Sequence, residues 1–290
     1  MQIFLIIVFS FQTVYYGNER WNFARNARIT SLGEAASSLK DPAGFFSNPA
    51  NPLLFDKKVL QGTFSSYFSD IFKFGTVNFI SGDSLKKFFV SLNYIFADKI
   101  LYTIYQDTTP AQDIGEIDQR GYITINSIQI LSGFSKKIKN FYAGISIKLM
   151  RENLYMGKGY GTGIDLGFLF KRNFNFSLTF KNIFGGLNFW DSGRKEYIPT
   201  SIRTGLSREF LKRILITADF EATFEKKFNI KSYTGMEFKG TENFLLRAGW
   251  RENIPTLGIG LRLQNINIDY ALGGNFELSV FHIISASIEF

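Results

Sequence analysis

The feature that most constrains this chain is a two-residue alternation of apolar and polar side chains, recurring in segments of about ten residues. Phe141, Ala143, Ile145, Ile147 and Leu149 alternate with Tyr142, Gly144, Ser146 and Lys148. The same pattern runs through Phe88 to Phe96 around Ser91 and Asn93, through Ile164 to Phe170, and through Phe174 to Phe180. Such segments are strands with one wet and one apolar face. Soluble sandwiches also alternate, so length decides: these runs exceed the usual five or six residues and match a tilted strand crossing a membrane.

The connections point the same way. Long ones are expected at Gln106 to Gln119, Arg151 to Gly161 and Ile183 to Ile198, and short ones at Lys136 to Asn140, Arg172-Asn173 and Phe210 to Arg213. Outer-membrane barrels have short periplasmic turns and longer extracellular loops. Counted from about Lys57, the pattern gives an all-β transmembrane antiparallel barrel of about 14 strands. Its last strand carries Leu278, Val280, Ile284 and Ile288 on one face and ends at Phe290, the expected signal to the barrel assembly machinery.

Past Gly17 no apolar stretch is long enough for a spanning helix, which takes about 20 residues. The run from Ile3 to Phe9 reads as the core of a signal peptide over residues 1–17. Residues 56–290 form the expected barrel. Between them, residues 18–55 do not alternate; they hold a helix-compatible stretch from Ser31 to Leu39, then Asp41-Pro42-Ala43-Gly44 and Asn48-Pro49-Ala50-Asn51-Pro52. Small residues permit close packing, and prolines remove amide donors that a crowded lumen must otherwise satisfy. A short, partly helical plug or hatch in the barrel mouth is the physical reading.

Here a resemblance enters. Leu32-Gly33-Glu34-Ala35 through Asp41, followed by Phe45-Phe46-Ser47-Asn48-Pro49-Ala50, resembles the N-terminal signature of PorV/PorQ-type barrels and, more distantly, of FadL-type fatty-acid channels. The resemblance implies a hatch motif at Asn48, Pro49 and Ala50, a 14-stranded barrel and the outer membrane of a diderm bacterium. Asn51-Pro52 follows where those families often have Gly.

Composition narrows the chemistry. The chain has 33 Phe, 13 Tyr, one His and no Cys. An aromatic excess fits interfacial girdles, or equally a codon bias. Without Cys there is no disulfide scaffold or thiolate metal site. The lone His282 falls on the lipid-facing parity of the last strand, so a Ser-His-carboxylate hydrolase is excluded, and no enzyme, metal or cofactor is expected. The net charge of +8 comes from scattered Lys and Arg without a basic helical face, which argues against nucleic acid as a partner. Gly157, Gly159, Gly161 and Gly163 read as turn and bulge glycines.

On the wet parity Lys148, Asp165, Lys181, Arg203, Asp219, Arg247 and Arg262 are expected to line the lumen, as a selectivity lining or as a structural salt-bridge ladder. Phe189, Trp190 and Tyr197 are expected on an extracellular capture loop. Two functions follow. A FadL-like barrel would pass small hydrophobic or amphipathic solutes. A PorV-like accessory would instead hold an exported protein at the surface, and a filled barrel is compatible with a purely structural role.

Overall fold

A computed structural model describes residues 21, 26–67, 70–105, 117–155, 157–225, 228–275 and 279–290. The expected signal segment and most of the expected loop from Gln106 to Gln119 lie outside the described residues. Among the described residues, sixteen strand segments form one antiparallel sheet. They are β1 (Val59–Tyr67), β2 (Phe72–Gly82), β3 (Lys86–Tyr105), β4 (Ile117–Ile138), β5 (Phe141–Leu154), β6 (Gly157–Lys171), β7 (Asn175–Lys181) and β8 (Gly186–Trp190). Then come β9 (Lys195–Ile198), β10 (Thr200–Phe210), β11 (Ile214–Phe224), β12 (Phe228–Lys239), β13 (Phe244–Arg251), β14 (Ile254–Leu263), β15 (Ile266–Asn275) and β16 (Ser279–Glu289).

The sheet closes on itself because β1 pairs with β16, placing Val59 opposite Glu289, while β5 pairs with β6. Closure leaves no edge to satisfy in lipid. β7 and β8 pair with successive stretches of β6, and β9 and β10 continue one another across Pro199. Each pair is one wall strand interrupted by a bulge, so the barrel has 14 strands. Asn182, Phe184 and Gly185 take positive φ at the first interruption.

Several expected long loops are strand instead. β5 and β6 continue until Leu154 pairs with Gly157, and Ile183 to Ile198 is mostly the β8–β9 hairpin. Ladder bonds there satisfy the backbone beyond the length that crosses a bilayer. β3 and β4 run on furthest, to Tyr105 opposite Ile117, past the last pairing of β3 with β2 at Ala97.

The wall is inverted relative to a soluble sheet. Leu92, Ile145, Leu149, Leu257 and Ile284 point outward and stand about half exposed, while Ser91, Asn93, Ser146, Thr217 and Ser285 are buried in the interior. So large an outer apolar surface requires lipid. No helix among the described residues is long and apolar enough to cross a membrane.

Residues 26–55 occupy that interior. Helix α1 (Ala27–Ser31) is capped by Asn26, whose Oδ1 accepts the Ile29 N–H at 2.7 Å. The helix is shorter and earlier than the expected Ser31–Leu39, because Gly33 and Glu34 adopt left-handed φ of 61° and 67° and turn the chain. Two 3₁₀ turns, Gly44–Phe46 and Asn51–Leu54, complete the segment. Phe45 stacks on Phe89 of the wall with ring centroids 4.8 Å apart, in a cluster with Phe55, Val59, Ile80 and Leu131.

Candidate functional site: a filled lumen

The wall admits the hatch through missing side chains. Gly144 on β5 lies opposite Gly167 on β6, and a Cβ on either would collide with Pro49 or Asn48. Gly235 on β12 lies opposite Gly249 on β13, and there Leu32 and Gly33 fill the space. Asn48 fastens the first notch, its Nδ2 donating to the Phe168 carbonyl at 2.9 Å and its Oδ1 accepting from the Ala50 N–H at 2.9 Å. Pro49 presents only a carbonyl there, as the absence of a donor allows. Gly159, Gly161 and Gly163 also lie inside β6 and face the lumen, so the turn and bulge reading is corrected.

Charges then bind hatch to wall. Asp219 accepts from the Ala36 and Ser37 N–H groups at 3.0 and 2.9 Å and from Arg203 Nε at 2.9 Å. Arg203 also bridges Glu221 at 3.3 Å, donates to the Glu34 carbonyl and lies 4.4 Å over the Tyr233 ring. Nearer the end holding both barrel termini, Glu237 takes Arg28 of the hatch at 2.9 Å and Arg247 at 2.6 Å, and Arg247 also meets Asp269 at 2.7 Å. Asp41 completes this cluster, 3.4 Å from Arg28. Burial pushes the Asp41 carboxyl above the usual carboxylate range, against the opposing pull of Arg28.

All seven residues expected in the lumen point inward. Lys148 meets Asp165 at 2.7 Å, Lys181 meets Glu221 at 3.2 Å, and Arg203 pairs with Asp219 and Arg247 with Glu237 and Asp269 as above. Arg262 is the loosest, 3.7 Å from Glu237 and 42% exposed. Charges neutralised by neighbours leave little field for sorting ions, so geometry favours a ladder over a selectivity lining. The partners Arg28, Glu221, Glu237 and Asp269 were not singled out from sequence, although the last three sit on the same inward parity.

The three loop aromatics do not converge. Phe189 and Tyr197 lie on the outward face of the β8–β9 hairpin, 42% and 45% exposed, whereas Trp190 has the opposite parity and packs over Gly159. A single capture loop is therefore not what this segment forms. His282 is outward as expected, and its Nδ1 lies 2.6 Å from the Tyr270 hydroxyl. Phe290 closes the last ladder, exchanging backbone hydrogen bonds with Lys58 at 3.0 and 3.1 Å.

Besides the cluster around Phe45, a second part of the lumen is apolar. Trp21, 1% exposed, packs with Tyr67, Phe74, Ile95, Met150 and Ile198, all on inward parities towards the end opposite the termini, and its indole N–H donates to Glu152 at 3.0 Å. Phe74 and Ile95, apolar on the otherwise polar inward parities of β2 and β3, are the sequence signal for this departure.

The fold, a closed 14-stranded barrel with an N-terminal hatch, is similar to that of solved hydrocarbon channels. The TodX monoaromatic hydrocarbon channel, solved as a deletion mutant, superposes with a TM-score of 0.67 at 12% identity, covering 97% of this chain and 100% of that one. The Ralstonia pickettii toluene transporter TbuX gives 0.64 at 12%, covering 93% and 100%. A Pseudomonas aeruginosa FadL homologue gives 0.61 at 13%, covering 91% and 98%. No protein-family model and no curated protein matches the sequence. The likeness is one of fold, to outer-membrane transport channels, and the PorV/PorQ likeness rests on the hatch motif alone.

Proposed function

We propose that this chain is an outer-membrane channel for small hydrophobic solutes, held closed here by its own hatch. The observation that carries the reading is the apolar cluster around Trp21. Another apolar cluster on the inward wall, Val59, Ile80, Phe89 and Leu131, is filled by Phe45 and Phe55 of the hatch, whereas Tyr67, Phe74, Ile95, Met150 and Ile198 pack around Trp21 near the far end and offer carbon surface to an apolar solute. An apolar solute gains there by leaving water, at about 25 cal/mol per Å² of surface buried. The neighbours named for toluene and monoaromatic hydrocarbons support that solute class. In this reading Trp21 occupies that surface until the hatch moves.

The test is toluene uptake by cells producing the chain in their outer membrane, against cells carrying the empty vector. Faster uptake with the chain is expected. Equal rates with folded barrel present at the surface would remove the channel reading and leave the accessory or structural role.

A further inference from the structure

The scattered cations of the sequence are gathered by the topology at one end. Turns on the side of the two barrel termini, the periplasmic side in outer-membrane barrels, surround an open cavity of about 670 Å³ beneath the hatch. Its floor is the compensated cluster of Arg28, Glu237, Arg247 and Asp269. Its rim is not compensated. Lys57, Lys171, Arg172, Lys212, Arg213 and Lys239 line it, and among the described residues none of the six has a carboxylate within ion-pair distance. Of the rim carboxylates, Glu289 lies 4.0 Å from Lys40, and Glu209 has no cation partner among the described residues.

We propose that this mouth is a binding site for a small organic anion, a carboxylate on a compact apolar body. The charge follows from the six rim cations, whose fields add within a concave wall and reach about 10 Å at 0.1 M salt. The apolar body follows from Leu39, Phe55, Leu215 and Leu245, which line the same cavity and offer carbon surface beside the amides of Asn173 and Asn267. A cavity of this size suits a small molecule. The site faces the compartment into which a channel would discharge, yet binding there does not depend on the barrel conducting anything.

The probe is benzoate, titrated calorimetrically into the full chain in zwitterionic nanodiscs, with benzyl alcohol as the neutral match and inorganic phosphate as an anion without an apolar body. Saturable benzoate binding is expected, with no saturable signal from benzyl alcohol and weakening of several-fold between 50 and 500 mM salt on the order expected from screening. Neutralising Lys171→Gln with Arg172→Gln, or Lys212→Gln with Arg213→Gln, is expected to weaken binding about three- to tenfold per pair. These are exposed turn positions, and a barrel that keeps its heat-dependent gel shift is folded. Trp21→Ala separates this site from the apolar cluster around Trp21 and should leave benzoate affinity unchanged. No saturable benzoate binding, affinity undiminished when all four cations are neutralised, or displacement by phosphate at equal concentration would each overturn the proposal. Toluene uptake reports on the channel reading separately.

Discussion

Replacing Gly235 with Ala tests whether the missing side chains of the wall set the position of the hatch. A Cβ there would stand 2.5 Å from the Leu32 carbonyl oxygen and 2.7 Å from the Leu32 Cα, whereas ordinary contact begins at 3.4 Å. The hatch must therefore retreat by about 0.9 Å or the wall must bulge, and overpacking of this kind costs about 1–3 kcal/mol. A retreat of that size also stretches the 3.0 and 2.9 Å hydrogen bonds from Ala36 and Ser37 to Asp219 beyond useful length. If the cost falls on hatch docking, the amides of Gly33 to Ser37 become about 5- to 150-fold less protected. Hydrogen exchange read by mass spectrometry on peptides spanning residues 27–40 measures this directly. Gly62→Ala, where an added Cβ meets nothing within 4 Å, is the control and should leave exchange unchanged. Unaltered protection in a folded Gly235→Ala barrel would refute the reasoning.

Asp219→Ala leaves buried Arg203 without its main partner and two hatch amides without an acceptor; a loss of about 3–5 kcal/mol is expected, read as a lower unfolding midpoint, with Asp219→Asn recovering part of it. In the turn between β2 and β3, the Leu85 and Lys86 N–H groups, each 2.7 Å from Asp83 Oδ1, hold that carboxyl below the usual carboxylate range. Its folded pKa is depressed, so its stabilisation is complete above the ordinary value of about 3.9 and is lost as pH falls through the depressed one. Asp83→Asn should therefore flatten the acid limb of a pH–stability curve while leaving neutral pH little changed. Trp21→Ala should raise toluene uptake relative to the unaltered chain, and uptake below that of the unaltered chain would count against Trp21 as the occupant of the apolar surface.

The barrel was legible because its two periods are local: alternation of apolar and polar residues marks strands, and strand length marks a bilayer. Lys148, Asp165, Arg203 and Arg247 were recoverable from parity for the same reason. Loop length was not, since alternation in β8 and β9 is interrupted at Phe184–Gly185 and at Pro199, and pairing across those bulges depends on strands far away in sequence. The glycine notches were hidden likewise. Gly144 and Gly167 look ordinary until register places them opposite each other with Pro49 between. The cationic mouth is the extreme case, because Lys57, Arg172, Arg213 and Lys239 become neighbours only when alternate turns return to one end of the barrel.

The most direct test of the central claim, that the hatch closes a barrel otherwise able to conduct, is single-channel recording in planar bilayers. The full chain is compared with a variant lacking residues 18–55, each shown to be folded by its heat-dependent gel shift. The account predicts a sealed full chain and stable conductance once the segment is gone. A sealed barrel in both forms would contradict it, since the wall side chains alone would then fill the lumen.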